Sequence, residues 1–341
     1  MVLRSIIILL LSLCTLYSAK ASTVQAEEAP SYDYQLADSI AESLSGYGLK
    51  NIPLLAKDLT DQLTTEHEKF RVIFYWVATN IENDYIYFLK NQRKRKRFAD
   101  DPVALASWNA EFAPKIYERL LKQQKTVCTG YAVLIEELCY YAGIEAEIVH
   151  GYGKVSQWVE VNEGQTNHSW NAVKLEGKWY LADATWAAGI IYTDRRGFQF
   201  DYTDAYFLSA PQLFALNHYP QDPKWLLIEE ELSFETFQSR SVASRYTLEM
   251  GLLPQEKARS YQQNLSKGEQ LVLTYEMKEE LPELHKKLLV LNIANQMVSL
   301  QDLRIEGNKL MLELIANRKG KNEGRFFYGT KPLFTYSFKV N

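Results

Sequence analysis

The pattern of apolar positions in the middle of the chain predicts an amphipathic helix. Apolar side chains recur there at helical spacing, at Tyr131, Leu134, Ile135, Leu138 and Ala142. Gly143 follows them, and glycine is common just past a helix end because it readily adopts a left-handed backbone conformation. The helix therefore begins close to Cys128.

Two alternating apolar and polar runs, HSWNAVKL and KWYLADAT, predict an antiparallel hairpin. A two-residue turn at Glu176–Gly177 would pair Leu175 with Lys178. In that register His168 and Asp183 share one face as diagonal neighbours, with Cα atoms about 7–8 Å apart. A slip of one residue would put them on opposite faces, so their proximity depends on this turn.

From about Ser233 onwards, the last third of the chain has a different pattern of apolar and polar residues. Short apolar-polar runs such as GEQLVLTYEM, MVSLQDLRIEG and KLMLELIA alternate there with polar turns. Strands separated by short turns are typical of an immunoglobulin-like β-sandwich. We predict such a domain over residues 233–341, through which a protein partner could bind.

The N-terminus has the pattern of a secretion signal. Arg4 precedes an apolar run from Ile6 to about Leu16, and Ala19-Lys20-Ala21 is a small-x-small cleavage sequence. The run is short for a membrane span, and no stop-transfer pattern follows it. We predict a signal peptide over residues 1–21, cut after Ala21, and a secreted or periplasmic protein without stable membrane insertion.

Composition and charge narrow the choice of partners. The 341 residues are 47% hydrophobic, which is enough for one large core or two smaller ones. The formal net charge of -4 gives no reason to expect nucleic acid. One basic run, RKRKR at Arg93 to Arg97, could indicate an anionic partner, but a solvated loop or helix end is the favoured interpretation of such a run.

Two cysteines remain after removal of the signal, and they cannot pair with each other on one helix. Cys128 and Cys139 are 11 residues apart, which is about 16 Å along a helix and far beyond the roughly 7 Å limit for a disulfide. Cys139 lies on the apolar stripe and is expected to be buried filler. Cys128 lies at the helix start, where the helix dipole favours a thiolate.

A nucleophilic cysteine needs a basic partner, and the hairpin offers one. Cys128 would attack an amide carbonyl, His168 would carry the proton, and Asp183 would orient the imidazole ring. His67 reads as the polar side of a helix, His218 as part of a Pro-rich connection, and His285 as surface, whereas His150 stays open. The spacing of Cys128, His168 and Asp183 alone is equally compatible with three residues that have no common catalytic role.

These motifs resemble the transglutaminase-like superfamily. The similarity rests on VCTGYA, GYGK, NHSWNAV and KWYLADATW, and it covers roughly residues 54–227. The flanking stretches are similar to the subgroup that includes the kyphoscoliosis peptidase and the fungal cytokinesis protein. The resemblance implies an α+β, papain-like transglutaminase core over residues 33–228, with Cys128 as nucleophile, His168 as base and Asp183 as orienting acid.

The resemblance implies acyl transfer on a protein or peptide amide through a Cys128 thioester. Hydrolysis, as a protease or deamidase, is favoured over crosslinking. The calcium-dependent animal enzymes are similar only in the core, and the sequence has no acidic loop of the D-x-D-x-D-G type, so neither calcium nor another metal or cofactor is implied. A catalytically silent binding module with the same fold remains the alternative.

Overall fold

The computed structural model of the chain describes residues 32–154, 163–192, 194, 197–278 and 289–341. The predicted signal peptide and His285 lie outside these residues. Within them, no helix combines the length and the apolar character that a membrane span requires.

The region that precedes the central sheet is mainly helical. Its elements are α1 (Gln35–Ser43), α2 (Ile52–Thr60), α3 (Glu66–Asn80), β1 (Glu82–Asn83), α4 (Tyr85–Arg97), α5 (Pro102–Gln123), β2 (Lys125–Thr126) and α6 (Cys128–Ala142). A capping box of Thr65 and Glu68 fixes the start of α3. Gly143, with φ of 74°, ends α6 as the sequence predicts.

The central sheet carries the predicted hairpin. The elements of this part are β3 (Glu145–Gly153), β4 (His168–Leu175), β5 (Lys178–Ala182), α7 (Ala184–Ala188), β6 (Gly189–Tyr192), β7 (Gly197–Phe200), α8 (Pro211–Phe214) and β8 (His218–Pro220). Strands β5, β4, β3 and β8 form one antiparallel sheet in that order. Helix α6 packs against β3 and β4, which brings the start of α6 to the sheet.

The predicted hairpin register is confirmed, but the second strand ends sooner than its sequence pattern indicates. Leu175 pairs with Lys178, and Glu176 and Gly177 both have positive φ, as a type I′ turn requires. The ladder stops at Ala182 because Asp183 caps α7. The alternation of apolar and polar residues continues to Thr185, but after Ala182 it belongs to the start of helix α7 and not to the strand.

The C-terminal region is rich in strands. Its elements are α9 (Phe234–Ser239), β9 (Val242–Ala243), α10 (Arg245–Glu249), β10 (Leu252–Gln255), β11 (Gln262–Leu265), β12 (Gln270–Met277), β13 (Leu289–Ile293), β14 (Val298–Glu306), β15 (Lys309–Ala316), β16 (Gly320–Tyr328) and β17 (Lys331–Val340). One sheet has the order β10-β12-β15-β14, and the other has the order β11-β17-β16-β13. The protein is thus α+β, with a strand-rich C-terminal region.

The two C-terminal sheets pack face to face. Buried and exposed residues alternate along β12 and β15, as expected of strands with one covered face. The ring of Tyr275 on β12 stacks 5.1 Å from Phe334 on β17, and its hydroxyl lies 2.6 Å from that of Tyr336. The more specific immunoglobulin-like assignment stays a prediction.

The helical and strand-rich regions share contacts. Most of their buried apolar residues belong to one continuous hydrophobic core, and two smaller clusters lie beside it. The ammonium of Lys154, just after β3, donates to the carbonyls of Phe237 (2.9 Å) and Arg240 (2.8 Å) beyond the central sheet. The division at residues 228 and 233 remains a prediction from the change in sequence pattern.

Candidate functional site

Cys128 is the first residue of α6, as the sequence predicts. Its side chain is partly exposed and unpaired, whereas Cys139 is buried and unpaired. Strand β2 leads into the helix along a tight path, since a Cβ on Gly130 would lie 1.9 Å from Oγ1 of Thr126. The Asn171 amide of β4 donates to the carbonyl of Ala132 at 3.0 Å and so ties the helix start to the sheet.

The sulfur of Cys128 meets the imidazole of His168. Burial raises the pKa of the Cys128 thiol, but hydrogen bonding to His168 and to the backbone N–H of Ser169 lowers it, so both groups lie close to the sulfur. His168 directs Nε2 at Oδ2 of Asp183, 2.7 Å away. Because Asp183 occupies Nε2, Nδ1 is the ring nitrogen left for the thiol. The structure therefore brings together all three residues that the sequence singles out.

Asp183 anchors this arrangement with both of its carboxylate oxygens. Oδ2 accepts from Nε2 of His168 and lies 3.1 Å from Nε2 of His218. Oδ1 accepts from the backbone N–H groups of Thr185 (2.8 Å) and Trp186 (3.2 Å), which caps α7. The residue is only 1% exposed, so these contacts fix the position of the carboxylate.

The electrostatics favour an ion pair between the thiol and the imidazole. Burial raises the pKa of Cys128, but the hydrogen bond and the charge of His168 outweigh it and lower this pKa below its usual value. Burial lowers the pKa of His168, but the charge and hydrogen bond of Asp183 outweigh it and raise this pKa. Asp183 in turn has its pKa held well below the usual range despite burial, mainly by the charge of His168. A thiolate facing an imidazolium is the favoured state.

His218 is a member of the site that sequence reasoning missed. The sequence pattern predicts a Pro-rich connection at this position, yet His218 starts β8 and pairs with Gly153 on β3. Its ring stacks 3.9 Å from that of Phe214, and burial lowers its pKa to about 4. Its Nε2 faces Asp183 and its Nδ1 lies 2.7 Å from Oδ1 of Asn217, so contacts at both ring nitrogens hold His218 beside the carboxylate. No local signal distinguishes this histidine, because its pairing to β3 is long-range.

Aromatic rings enclose the His168 imidazole. Trp186 stacks on it at 4.8 Å, and its ring also lies 4.3 Å from that of His218. The nearest atom to a Cβ placed on Gly153 would be in the Trp186 ring, at 2.9 Å. Glycine at this position therefore lets Trp186 cover the imidazole and shield it from water on that side.

The remaining histidines lie away from this site or outside the described residues. The interpretation of His67 as polar surface is wrong, since it is 1% exposed and stacks on Tyr32 at 4.5 Å. His150, which the sequence left open, is exposed and its Nδ1 lies 2.9 Å from the hydroxyl of Ser169. It does not contact the Cys128 thiol.

One group of described residues has the composition and proximity to hold a metal ion, and it consists of His168, Asp183 and His218. Their potential ligand atoms lie within 4.8 Å of one another. The hydrogen bonds to Asp183 already account for this proximity, because both imidazoles direct Nε2 at the same oxygen. Cys128 meets His168 at the other ring nitrogen, so these residues do not form one four-ligand cage.

The comparisons with known proteins agree with this geometry. Residues 54–184 match the profile of the Transglutaminase-like superfamily, and this segment contains Cys128, His168 and Asp183. These residues form a transglutaminase-like domain. The resemblance predicted from the sequence motifs is therefore confirmed.

Several named relatives contain a similar region. The kyphoscoliosis peptidase of Mus musculus is 32% identical over 210 residues, which cover 61% of this chain and 29% of the relative. Its Homo sapiens counterpart is 33% identical over 187 residues, covering 54% and 25%. Hillarin of Drosophila melanogaster is 27% identical over 233 residues, covering 63% and 26%. The chain thus spans less than a third of the length of each of these relatives.

Proposed function

We propose that the transglutaminase-like domain is a thiol enzyme that cleaves protein or peptide amides through a thioester on Cys128. The observation that carries this proposal is the continuous chain of contacts from the Cys128 sulfur through His168 to Asp183. A structural cysteine has no need of an imidazolium partner, whereas a nucleophile does.

The geometry supports a two-step reaction. The thiolate attacks the amide carbonyl and forms a C–S bond, and backbone N–H groups at the start of α6 stabilise the resulting oxyanion. Collapse of this intermediate breaks the C–N bond while His168 gives its proton to the leaving amine. His168 then takes a proton from water as the water attacks the thioester, and this step releases the acid and restores the thiolate.

Hydrolysis is the favoured outcome of the second step. Transfer to a lysine amine needs a site that excludes water and guides the amine to the thioester, and we find no sequence signature of such a guide. Two of the relatives carry the name peptidase, which points the same way. The acyl acceptor is therefore taken to be water.

The test is an incubation of casein with a dansylated primary amine. We expect release of ammonia or of new peptide ends with little dansyl label incorporated, and Cys128→Ala should abolish every product. Efficient incorporation of the amine would instead identify a crosslinking enzyme. Absence of all products across varied proteins, from a folded chain, would favour a binding module.

The proposed place of action is outside the cytoplasm, as a secreted or periplasmic protein. This rests on the N-terminal pattern of Arg4, the apolar run and Ala19-Lys20-Ala21. Mass spectrometry of the protein exported from its source cells should find Ser22 at the mature N-terminus. A mature chain that still begins at Met1 would contradict the proposal.

A further inference from the structure

Helix α4 carries a concentration of positive charge towards its C-terminal end, where Glu111 of α5 lies within electrostatic reach of Lys90 and Lys94. Its last eight residues include six cationic ones, namely Lys90, Arg93, Lys94, Arg95, Lys96 and Arg97. None of them forms an ion pair with a carboxylate among the described residues, although the chain as a whole has a net charge of -4. The basic run does end a helix, as one interpretation of the sequence expected.

Two of these six residues, Lys94 and Arg95, are half-buried, whereas the other four are exposed. Arg95 differs from Lys94 in what its side chain contacts. An Nη2–H of Arg95 donates to the carbonyl of Thr166 at 2.9 Å, and Thr166 is two residues before His168. Arg95 therefore reaches from the helix to the segment that leads into the strand of the proposed base.

The Arg95 guanidinium also lies within electrostatic reach of the Cys128 sulfur. Burial lowers the pKa of Arg95, and the negative charge of the Cys128 thiolate acts in the opposite direction. The thiolate is the anion that acts on this guanidinium, and no carboxylate of the described residues does so. Together with the hydrogen bond to Thr166, this interaction places a fixed positive charge on the same side of the site as the proposed nucleophile.

The chemistry of the side chain indicates what it can bind. A guanidinium offers five N–H donors, and the Thr166 carbonyl takes one of them. Among the described residues no carboxylate pairs with this half-buried cation, and a carboxylate from another molecule could accept two parallel hydrogen bonds from it. Arginine is better suited than lysine to such two-point recognition.

We propose that Arg95 forms a subsite that binds a carboxylate of the substrate next to the amide that Cys128 attacks, so that the preferred substrate is an acidic polypeptide. This inference rests on the proposed function, because it assigns the substrate class of the same site. The exposed cations of α4 add a longer-range attraction for an acidic chain. Arg95 is a specificity-determining residue in this scheme and takes no part in bond breaking.

The test uses two alkylating agents of similar size on the full chain. Iodoacetate carries a carboxylate and iodoacetamide is its neutral counterpart, so the ratio of their rates at Cys128 measures recognition of a carboxylate beside the thiolate. Changes in thiol pKa affect both rates and cancel in the ratio. We expect Arg95→Gln to lower the iodoacetate-to-iodoacetamide ratio about tenfold, the effect of losing one charge-assisted hydrogen bond.

Matched variants separate the subsite from general charge. Arg97→Gln removes the same charge from an exposed position of the same helix and should change the ratio by less than about twofold, since exposed charges are screened. Arg95→Lys keeps the positive charge but lacks the two parallel N–H donors of the guanidinium, so it should retain part of the preference for iodoacetate over iodoacetamide. An unchanged ratio in Arg95→Gln, or an equal fall in Arg97→Gln, would overturn the subsite. Failure of both agents to label Cys128 in the unmodified chain would overturn the proposed function itself.

A second arm identifies the source of the carboxylate. N-acetylaspartate α-amide presents a side-chain carboxylate, and N-acetylglycine presents a terminal one. Protection of Cys128 from iodoacetamide by the first compound, lost in Arg95→Gln, would assign the subsite to an acidic side chain. Protection by the second would assign it to a chain end, and protection by neither would contradict the subsite.

Discussion

Replacing Cys128 by alanine should abolish amide cleavage while leaving the fold intact. The expected loss of kcat/KM is on the order of 10⁵-fold or more, because no other group near His168 can form the thioester. The Cys128 side chain is only partly buried, so its truncation should change the melting temperature little. Product formation by the purified variant, measured beside the unmodified chain, checks this expectation.

The other cysteine of the described residues is the matched control. Cys139 lies on the same helix, is fully buried, and has its pKa raised by burial. Cys139→Ser should keep the activity nearly unchanged but lower the free energy of unfolding by about 1–3 kcal/mol, because a hydroxyl replaces a buried thiol. Loss of activity in this variant without loss of stability would show that Cys139, and not Cys128, is the nucleophile.

The pH dependence of alkylation gives an independent check on Cys128. Burial raises its pKa, but His168 outweighs this and lowers it, so the thiolate should form at a pH below the ordinary thiol pKa of about 8.5. The iodoacetamide rate should therefore reach half of its maximum at a pH below that value. A rate that follows an ordinary thiol titration, with its midpoint near pH 8.5, would contradict the ion pair.

The local parts of the site could be predicted because short-range rules determine them. Helical spacing before Gly143 places the start of α6 at Cys128, and a two-residue turn fixes which residues of the hairpin share a face. Because alternate residues of paired strands lie on the same face of the sheet, His168 and Asp183 come to the same face, although they are not directly opposite each other in the hairpin. The exact contact of 2.7 Å arises because the chain leaves the strand at Asp183 to start a helix.

The missed features depend on contacts between distant segments. His218 joins the site by pairing with Gly153, and nothing in the neighbouring sequence indicates that pairing. His67 looks polar because acidic and basic residues flank it, but Tyr32 and Tyr180 cover its ring. Arg95 likewise belongs to a run that reads as solvated, and only the hydrogen bond to Thr166 distinguishes it from its neighbours.

Asp183→Asn should reduce kcat by about 10⁴-fold while the hairpin and α7 stay folded. The asparagine amide would favour the wrong tautomer of His168 and would not stabilise the imidazolium. The free energy of unfolding should fall by about 3 kcal/mol, since two buried imidazoles lose a shared charged acceptor. Urea unfolding and steady-state kinetics on the same preparation measure both effects.

Asp183→Ala separates the cap of α7 from the charge. Asparagine can still accept from the backbone N–H groups of Thr185 and Trp186, as the aspartate does now, whereas alanine cannot. The alanine variant should therefore be less stable than the asparagine variant by about 1 kcal/mol, with a similar loss of activity. Equal stability of the two variants would show that the cap contributes nothing.

The stability difference between the unmodified chain and Asp183→Asn should depend on pH in a defined direction. The pKa of Asp183 is depressed in the folded state, so its contribution is present above the ordinary aspartate pKa of about 3.9 and is lost as pH falls. The pKa of His168 is raised, so its contribution is present below about 6.5 and is lost as pH rises through the raised value. The difference should therefore be largest between about pH 4 and 6.5 and decline on both sides. A difference that is constant across that range and beyond it would show that the Asp183–His168 pair is not an ion pair in the folded protein, and the thiolate–imidazolium mechanism would lose its electrostatic basis.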